Sequence, residues 1–245
     1  MSKKTKLTVI IIILFLFIGA FIVYIFNELL QENDIEKEPI TINEAITFKS
    51  KYEDLNDDET IEYVKVEIPE INPMKAITIE ELVEKINKEE SFLVYFGNPT
   101  SQWCRTMVVQ MIETAKEMEI PVIYYLSIND IKDVYELDSK NKVVKAIDGT
   151  GEYHLLLDNL NSLLDNYPNL KYKNKKKKIV EVKVNSKYIK EPSVVYFKDG
   201  KGYSTCDGIS NKQENPYDIT EKEITDETKQ EFVDIFNDYL NNKKD

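Results

Sequence analysis

Leu7 to Phe26 is an uncharged, almost wholly apolar run of about twenty residues. A run of that length crosses a hydrocarbon core of ~30 Å as a helix, and lipid forces such a backbone to pair its own amides and carbonyls. The spacing therefore predicts a transmembrane helix over 7–26. Lys3, Lys4 and Lys6 precede it, whereas Glu28, Glu32 and Asp34 follow. The positive flank stays in the cytoplasm, so residues 1–6 are expected inside and the C-terminal remainder outside, in a single-pass protein of the cell membrane. A cleaved signal peptide fits less well, because the run is long for one and no small-x-small pattern closes it. No cysteine follows it directly, which excludes lipoprotein processing.

The chain has a formal net charge of −12, and residues 1–27 hold three lysines and no acid. The outer part is thus three units more negative still, a poor match for nucleic acid. One local exception is "KYKNKKKK", Lys171 to Lys178, with six lysines in eight residues. It reads as a solvated, mobile loop, or as a contact for anionic headgroups or wall polymer. The two cysteines, Cys104 and Cys206, have neither the number nor the spacing of a disulfide scaffold or a zinc site. No metal or cofactor is expected. His154, the only histidine, reads as a surface or packing residue.

Residues 27–60 are polar and acid-rich and read as a stalk or linker with a partial helix at Ile42 to Tyr52. A folded domain is expected over 61–242. "EYVKVEIPE" alternates Val64, Val66 and Ile68 with charged residues, the period of a half-buried strand. Thr78-Ile79-Glu80-Glu81 is a capping box, and Ile79, Leu82, Val83 and Ile86 follow at helical spacing. "SFLVYFG" (91–97) and "PVIYYLSI" (121–128) are continuously apolar, as strands buried on both faces are. Between them Val108, Met111, Ile112 and Ala115 form a helical stripe, so the unit is a right-handed parallel crossover. Leu156, Leu160, Leu163, Leu164 and Tyr167 predict a helix, and Ile179 to Val184 a strand. "EPSVVYFKDGKGYSTCDGIS" predicts a hairpin turning at Asp199-Gly200. Phe232, Ile235, Phe236 and Tyr239 predict a terminal helix.

Strand "FLVYF", a loop, a cysteine at a helix start, strand "VIYYLSI" and then "EPSVVYFKDGK" resemble the thioredoxin superfamily. "NPMKAITIEELVEKI", "FLVYFG" and "WCR" are similar, more narrowly, to membrane-anchored thioredoxin-like proteins of Gram-positive bacteria, a group that shades into bacteriocin-transport accessory proteins. The resemblance implies an α/β fold: a thioredoxin-like central mixed sheet with flanking helices, and an insertion at about 131–190 before a cis-proline strand. It places that proline at Pro192, the hairpin at Phe197 to Gly200, and a closing glycine at Gly208. It also places the family's two active-site cysteines at Ser101 and Cys104, so the first, the nucleophile, is lost. The family's buried aspartate falls on Tyr95.

A serine hydroxyl gains little from a helix N-terminus, where a thiol would ionise. Ser101 is thus expected to cap the helix or hold a water. Cys104, nearly a turn further in, is expected to behave as a small hydrophobe if buried. Pairing of Cys104 with Cys206 is disfavoured by distance along the sheet. The family's substrate surface needs no sulfur: the backbone at Glu191 and Pro192 would pair with an extended polypeptide beside Trp103. Two functions follow from the resemblance. One is an extracytoplasmic binding module for a polypeptide or membrane-protein partner, and the other an atypical thiol-disulfide oxidoreductase acting through Cys104.

Overall fold

In the computed structural model, which describes residues 40–217 and 222–242, the apolar runs form the middle of a mixed five-stranded sheet in the order β1-β3-β2-β8-β9. Its strands are β1 (Met74–Ala76), β2 (Phe92–Phe96), β3 (Ile123–Leu126), β8 (Ser193–Lys198) and β9 (Lys201–Cys206). β1 and β2 run parallel to β3, while β8 is antiparallel to both β2 and β9. The expected transmembrane segment lies outside the described residues. Among the described residues no helix is long and apolar enough to cross a membrane.

Strand β2 is buried at every position, and its side chains alternate between two cores. Leu93 and Tyr95 point to one, against α3 (Gln102–Glu117) and α5 (Lys222–Asn242). Phe92, Val94 and Phe96 point to the other, against α2 (Ile79–Asn87) and α4 (Gly151–Leu160). This period-two division yields three layers, helices on both faces of one sheet. The capping box at Thr78 forms as expected, with Glu81 returning a bond to the Thr78 amide. At the β8–β9 turn Asp199 and Gly200 both have positive φ, 48° and 69°. A Cβ on Gly200 would sit 2.2 Å from the Ile86 carbonyl oxygen, so the turn fits only a glycine there.

Four expectations are modified. The helix expected through Tyr167 ends at Leu160, so Leu163, Leu164 and Tyr167 lie beyond α4. The helix anticipated within the linker is α1 (Ile42–Glu53). It belongs to the folded unit that begins at Ile40, because Phe48 and Tyr52 are buried in the first core.

The alternating segment at 64–68 is extended but forms no ladder. Its inward residues are buried, yet side chains of α1, of the turn after it and of α3 hold its backbone. Gln102 Oε1 accepts the Val64 amide and Arg105 donates to the Val64 carbonyl. Asn56 pairs with both backbone groups of Val66. Glu53 accepts the Ile68 amide, and Lys49 donates to the Ile68 carbonyl. Alternation reports one buried side, not a strand neighbour.

The lysine run is part strand and part tight turn, where a loop was expected. Lys171 and Lys173 lie on β6 (Leu170–Lys173), which pairs with β7 (Ile179–Val182). Asn174 closes the turn by accepting the amides of Lys176 and Lys178 on its side-chain oxygen.

A second hairpin, β4 (Val134–Leu137) with β5 (Val143–Ile147), also lies within 131–190. From that region mainly α4 and Ile189 enter the core.

Candidate functional site

The site is the turn between β2 and α3. Antiparallel pairing of Phe96 with Ser193 sets Pro192 opposite Gly97, where the turn begins. The Glu191–Pro192 peptide is cis. Asn98 shapes the turn by accepting the Thr100 amide and hydroxyl on its side-chain oxygen, both at 2.9 Å. Ser101 is the N-cap of α3, and its hydroxyl accepts the Cys104 amide at 3.4 Å. The expected capping role is therefore what the local geometry shows.

Cys104 is fully buried. The Asn98 amide points at its sulfur from 3.3 Å, while Met107, Val108 and the sheet enclose the rest. Burial pushes the thiol above its ordinary value, against smaller opposing hydrogen bonds from Ser101, Asn98 and Tyr95. A group near a helix N-terminus is thus kept as a neutral thiol because desolvation outweighs the dipole.

Beneath the sulfur stands Tyr95, also fully buried. Its ring folds over Gly97, where a Cβ would fall 2.2 Å from the ring carbon that carries the hydroxyl, so only glycine leaves the space. The Tyr95 hydroxyl shares a 2.9 Å hydrogen bond with Tyr52 of α1. The base of the site is two phenols and a thiol, with no carboxylate among them.

Comparison with protein-family models, with curated proteins and with solved structures finds no match to this chain. The site is consequently read from its own geometry.

Of the other expected residues, Trp103 is half-buried in the first turn of α3 and Pro192 is buried. Glu191 turns its carboxylate inward. One oxygen accepts the Ile128 amide at 3.2 Å and the other meets Lys132 at 3.0 Å. That side chain braces the segment after β3, leaving only backbone for an incoming ligand. Cys206 and Cys104 are both free. Cys206 pairs across to Val194 and Val194 to Tyr95, so Cys206 lies two strands from β2, roughly 10 Å, too far for a bond to the α3 thiol.

Two participants have no role in the sequence reading. Tyr52 arrives from a helix that read as linker. Arg105, there only the last residue of "WCR", is fully buried. Its guanidinium donates to the carbonyls of Val64, Tyr52 and Pro99 and to Asn56 Oδ1, at 2.6 to 3.3 Å. No carboxylate stands among those partners, and burial pulls its ionisation below the ordinary value.

Elsewhere His154 lies 3.0 Å from Asp133, whose carboxylate also accepts the Gly149 amide. Asp133, Asp148 and His154 are close enough to share an ion. However, Lys145 lies between the carboxylates, 3.1 Å from Asp133 and 2.8 Å from Asp148. The group ties β5 to α4 as an ion-pair network.

The buried acids of the site set an alkaline limit on stability. Tyr52 and Tyr95 are pushed well above 10.0 and Cys104 above 9.0, in each case chiefly by burial. Above those ordinary values the unfolded chain releases protons that the folded chain keeps, so stability is full below about pH 9 and falls as pH rises. The urea midpoint should drop between about pH 8 and about pH 10.5, and Tyr95→Phe should shrink that drop. A midpoint independent of pH over this interval would contradict the buried phenol pair.

Proposed function

We propose that this chain is a membrane-anchored, extracytoplasmic thioredoxin-like protein whose dithiol chemistry is lost, and which holds a polypeptide or a membrane-protein partner beside Trp103, Cys104 and Pro192. The observation that carries this reading is the sealed Cys104. It is the only sulfur at the β2–α3 turn, it has no exposed surface, and Ser101 occupies the outer position as a cap. The strand order and the helices on both sheet faces suit a thioredoxin-like domain. Hairpin β4–β5 and the lysine-bearing hairpin β6–β7 form the insertion. In this reading residues 7–26 anchor the chain, the lysine turn adds contact with an anionic surface, and nucleic acid is not a partner. The surface beside the turn offers Trp103 and the backbone around Pro192, which suits strand-like capture of an extended segment.

Alkylation kinetics of the full-length chain in neutral detergent test it. Cys104 should react roughly two orders of magnitude more slowly than an exposed thiol at neutral pH, because reaction waits on local opening. Its rate should climb only on the alkaline side, following the upward displacement of its ionisation. A fast Cys104 with a midpoint below about pH 8, together with disulfide reduction lost in Cys104→Ser, would replace this reading with the thiol-disulfide oxidoreductase.

A further inference from the structure

Among the described residues β9 is an edge of the sheet, with β8 on one side and no strand on the other. An edge presents unpaired backbone groups at alternate residues. The first half of β9 is closed by Asn159 of α4, which accepts the Gly202 amide at 2.9 Å and donates to the Gly200 carbonyl at 2.8 Å. The second half, Ser204 to Asp207, opens on a groove of about 450 Å³ between the end of α4 and α5.

The floor of the groove is apolar, with Leu160, Leu163, Val195 and Ile235. Its walls are acidic: Asp165, Asp207, Glu231, Asp234 and Asp238 face a single lysine, Lys190, which is itself paired with Asp207. Ser204 lines the groove, and its buried hydroxyl has no hydrogen-bond partner. The Glu231 carboxylate accepts the Gly208 amide, while burial and the neighbouring Asp207 push its pKa above the ordinary carboxylate value, a sign of how strongly negative the surroundings are. Negative charge here exceeds what the groove itself neutralises.

Spacing narrows the occupant. Glu231, Asp234 and Asp238 follow each other along one face of α5 at ~5–6 Å per step. Side chains on one face of an extended strand repeat every ~6.7 Å, nearly the same interval.

We propose that this groove takes an extended cationic polypeptide, with lysine or arginine at every second position, as a sixth strand on β9. Its backbone pairs with Ser204 to Asp207, its apolar side chains lie on the Leu160–Val195 floor, and its basic side chains meet the α5 carboxylates. This surface is separate from the β2–α3 turn and does not depend on the state of Cys104.

The probe is a fluorescein-labelled Lys-Val alternating octapeptide, titrated by fluorescence polarisation against the full-length chain in neutral detergent. It should bind, whereas a Glu-Val octapeptide and a Lys-Pro octapeptide, which cannot pair as a strand, should not. Asp234→Asn with Asp238→Asn should weaken binding by about tenfold. Glu80→Gln with Glu84→Gln, an equal charge loss on α2, should change it less than about twofold. Asp234→Lys with Asp238→Lys should acquire affinity for the Glu-Val peptide, a gain that unfolding does not mimic. Equal weakening by the α5 and α2 variants would show bulk charge attraction and overturn the assignment. So would equal binding of the Lys-Val and Lys-Pro peptides, or no binding of either.

Discussion

Arg105→Ala is expected to lower the free energy of unfolding by about 3–5 kcal/mol, measured by urea denaturation of the full-length chain in detergent. The buried carbonyls of Val64 and Tyr52, the half-buried carbonyl of Pro99 and Asn56 Oδ1 take their hydrogen bonds from this one guanidinium. Each buried acceptor left bare costs about 1–3 kcal/mol, and a cavity adds to that. Relief from burying an unpaired cation offsets part of the sum, which is why the net stays near the quoted range. Two further variants separate the contributions. Arg105→Met fills the volume but donates nothing, so it should recover only the cavity share. Arg105→Lys keeps the charge but lacks the planar fork needed to reach four acceptors, and should fall between Met and the parent. A loss under about 1 kcal/mol for Arg105→Ala would show that water replaces the guanidinium freely.

On the proposed reading, Ser101→Cys should give the chain a disulfide-reducing activity. Ser101 and Cys104 are three residues apart around the first turn of a sixteen-residue helix, with the Ser101 hydroxyl against the Cys104 amide. Cα atoms at that spacing lie ~5–6 Å apart, inside the range for a disulfide. A thiol at the capping position is less buried than Cys104 and has the helix amides to stabilise its anion. It attacks a substrate disulfide and forms a mixed disulfide. Cys104 then attacks the sulfur introduced at position 101, forming the internal disulfide and releasing the substrate's remaining thiolate, so two thiols are oxidised as one disulfide is reduced. Insulin reduction driven by dithiothreitol should rise roughly two orders of magnitude over the parent, and the variant should lose two hydrogens on mild oxidation. Proton removal from Cys104 should remain slow, because phenols lie beneath it and the charge of nearby Glu191 further disfavours the thiolate; adding Tyr95→Asp should raise the rate further. A variant that neither oxidises internally nor reduces insulin would count against the thioredoxin-like reading itself.

The parts of this architecture that the sequence discloses are those where side-chain chemistry and backbone pairing agree. β2, β3 and β8 are buried on both faces and appear as unbroken apolar runs. Asp199-Gly200 meets a turn that demands positive φ at both positions. Ser101 and Cys104 are found because helix position alone sets what a hydroxyl or a thiol does there. The segment 64–68 misleads because alternation records burial on one side and is silent about what satisfies the amides. α1 hides for a related reason: a short helix with one apolar strip, set in an acid-rich segment, has the look of a linker until its docking surface is known. The burial of Arg105 gives no signal, since its guanidinium, 5.2 Å from the Tyr63 ring, depends on residues 49 and 53 positions away for its acceptors at Asn56 and Tyr52.

The extended segment at 64–68 also bears on how this protein can change over evolutionary time. A β-ladder is made of backbone and tolerates almost any side chain along it. Here the corresponding bonds come from Lys49, Glu53, Asn56, Gln102 and Arg105. These five positions are therefore bound by a shared covenant, although none of them carries out chemistry. Descendants should keep them as a set or exchange them as a set, and one that abandons Arg105 should be found to have given the segment a true strand partner in its place.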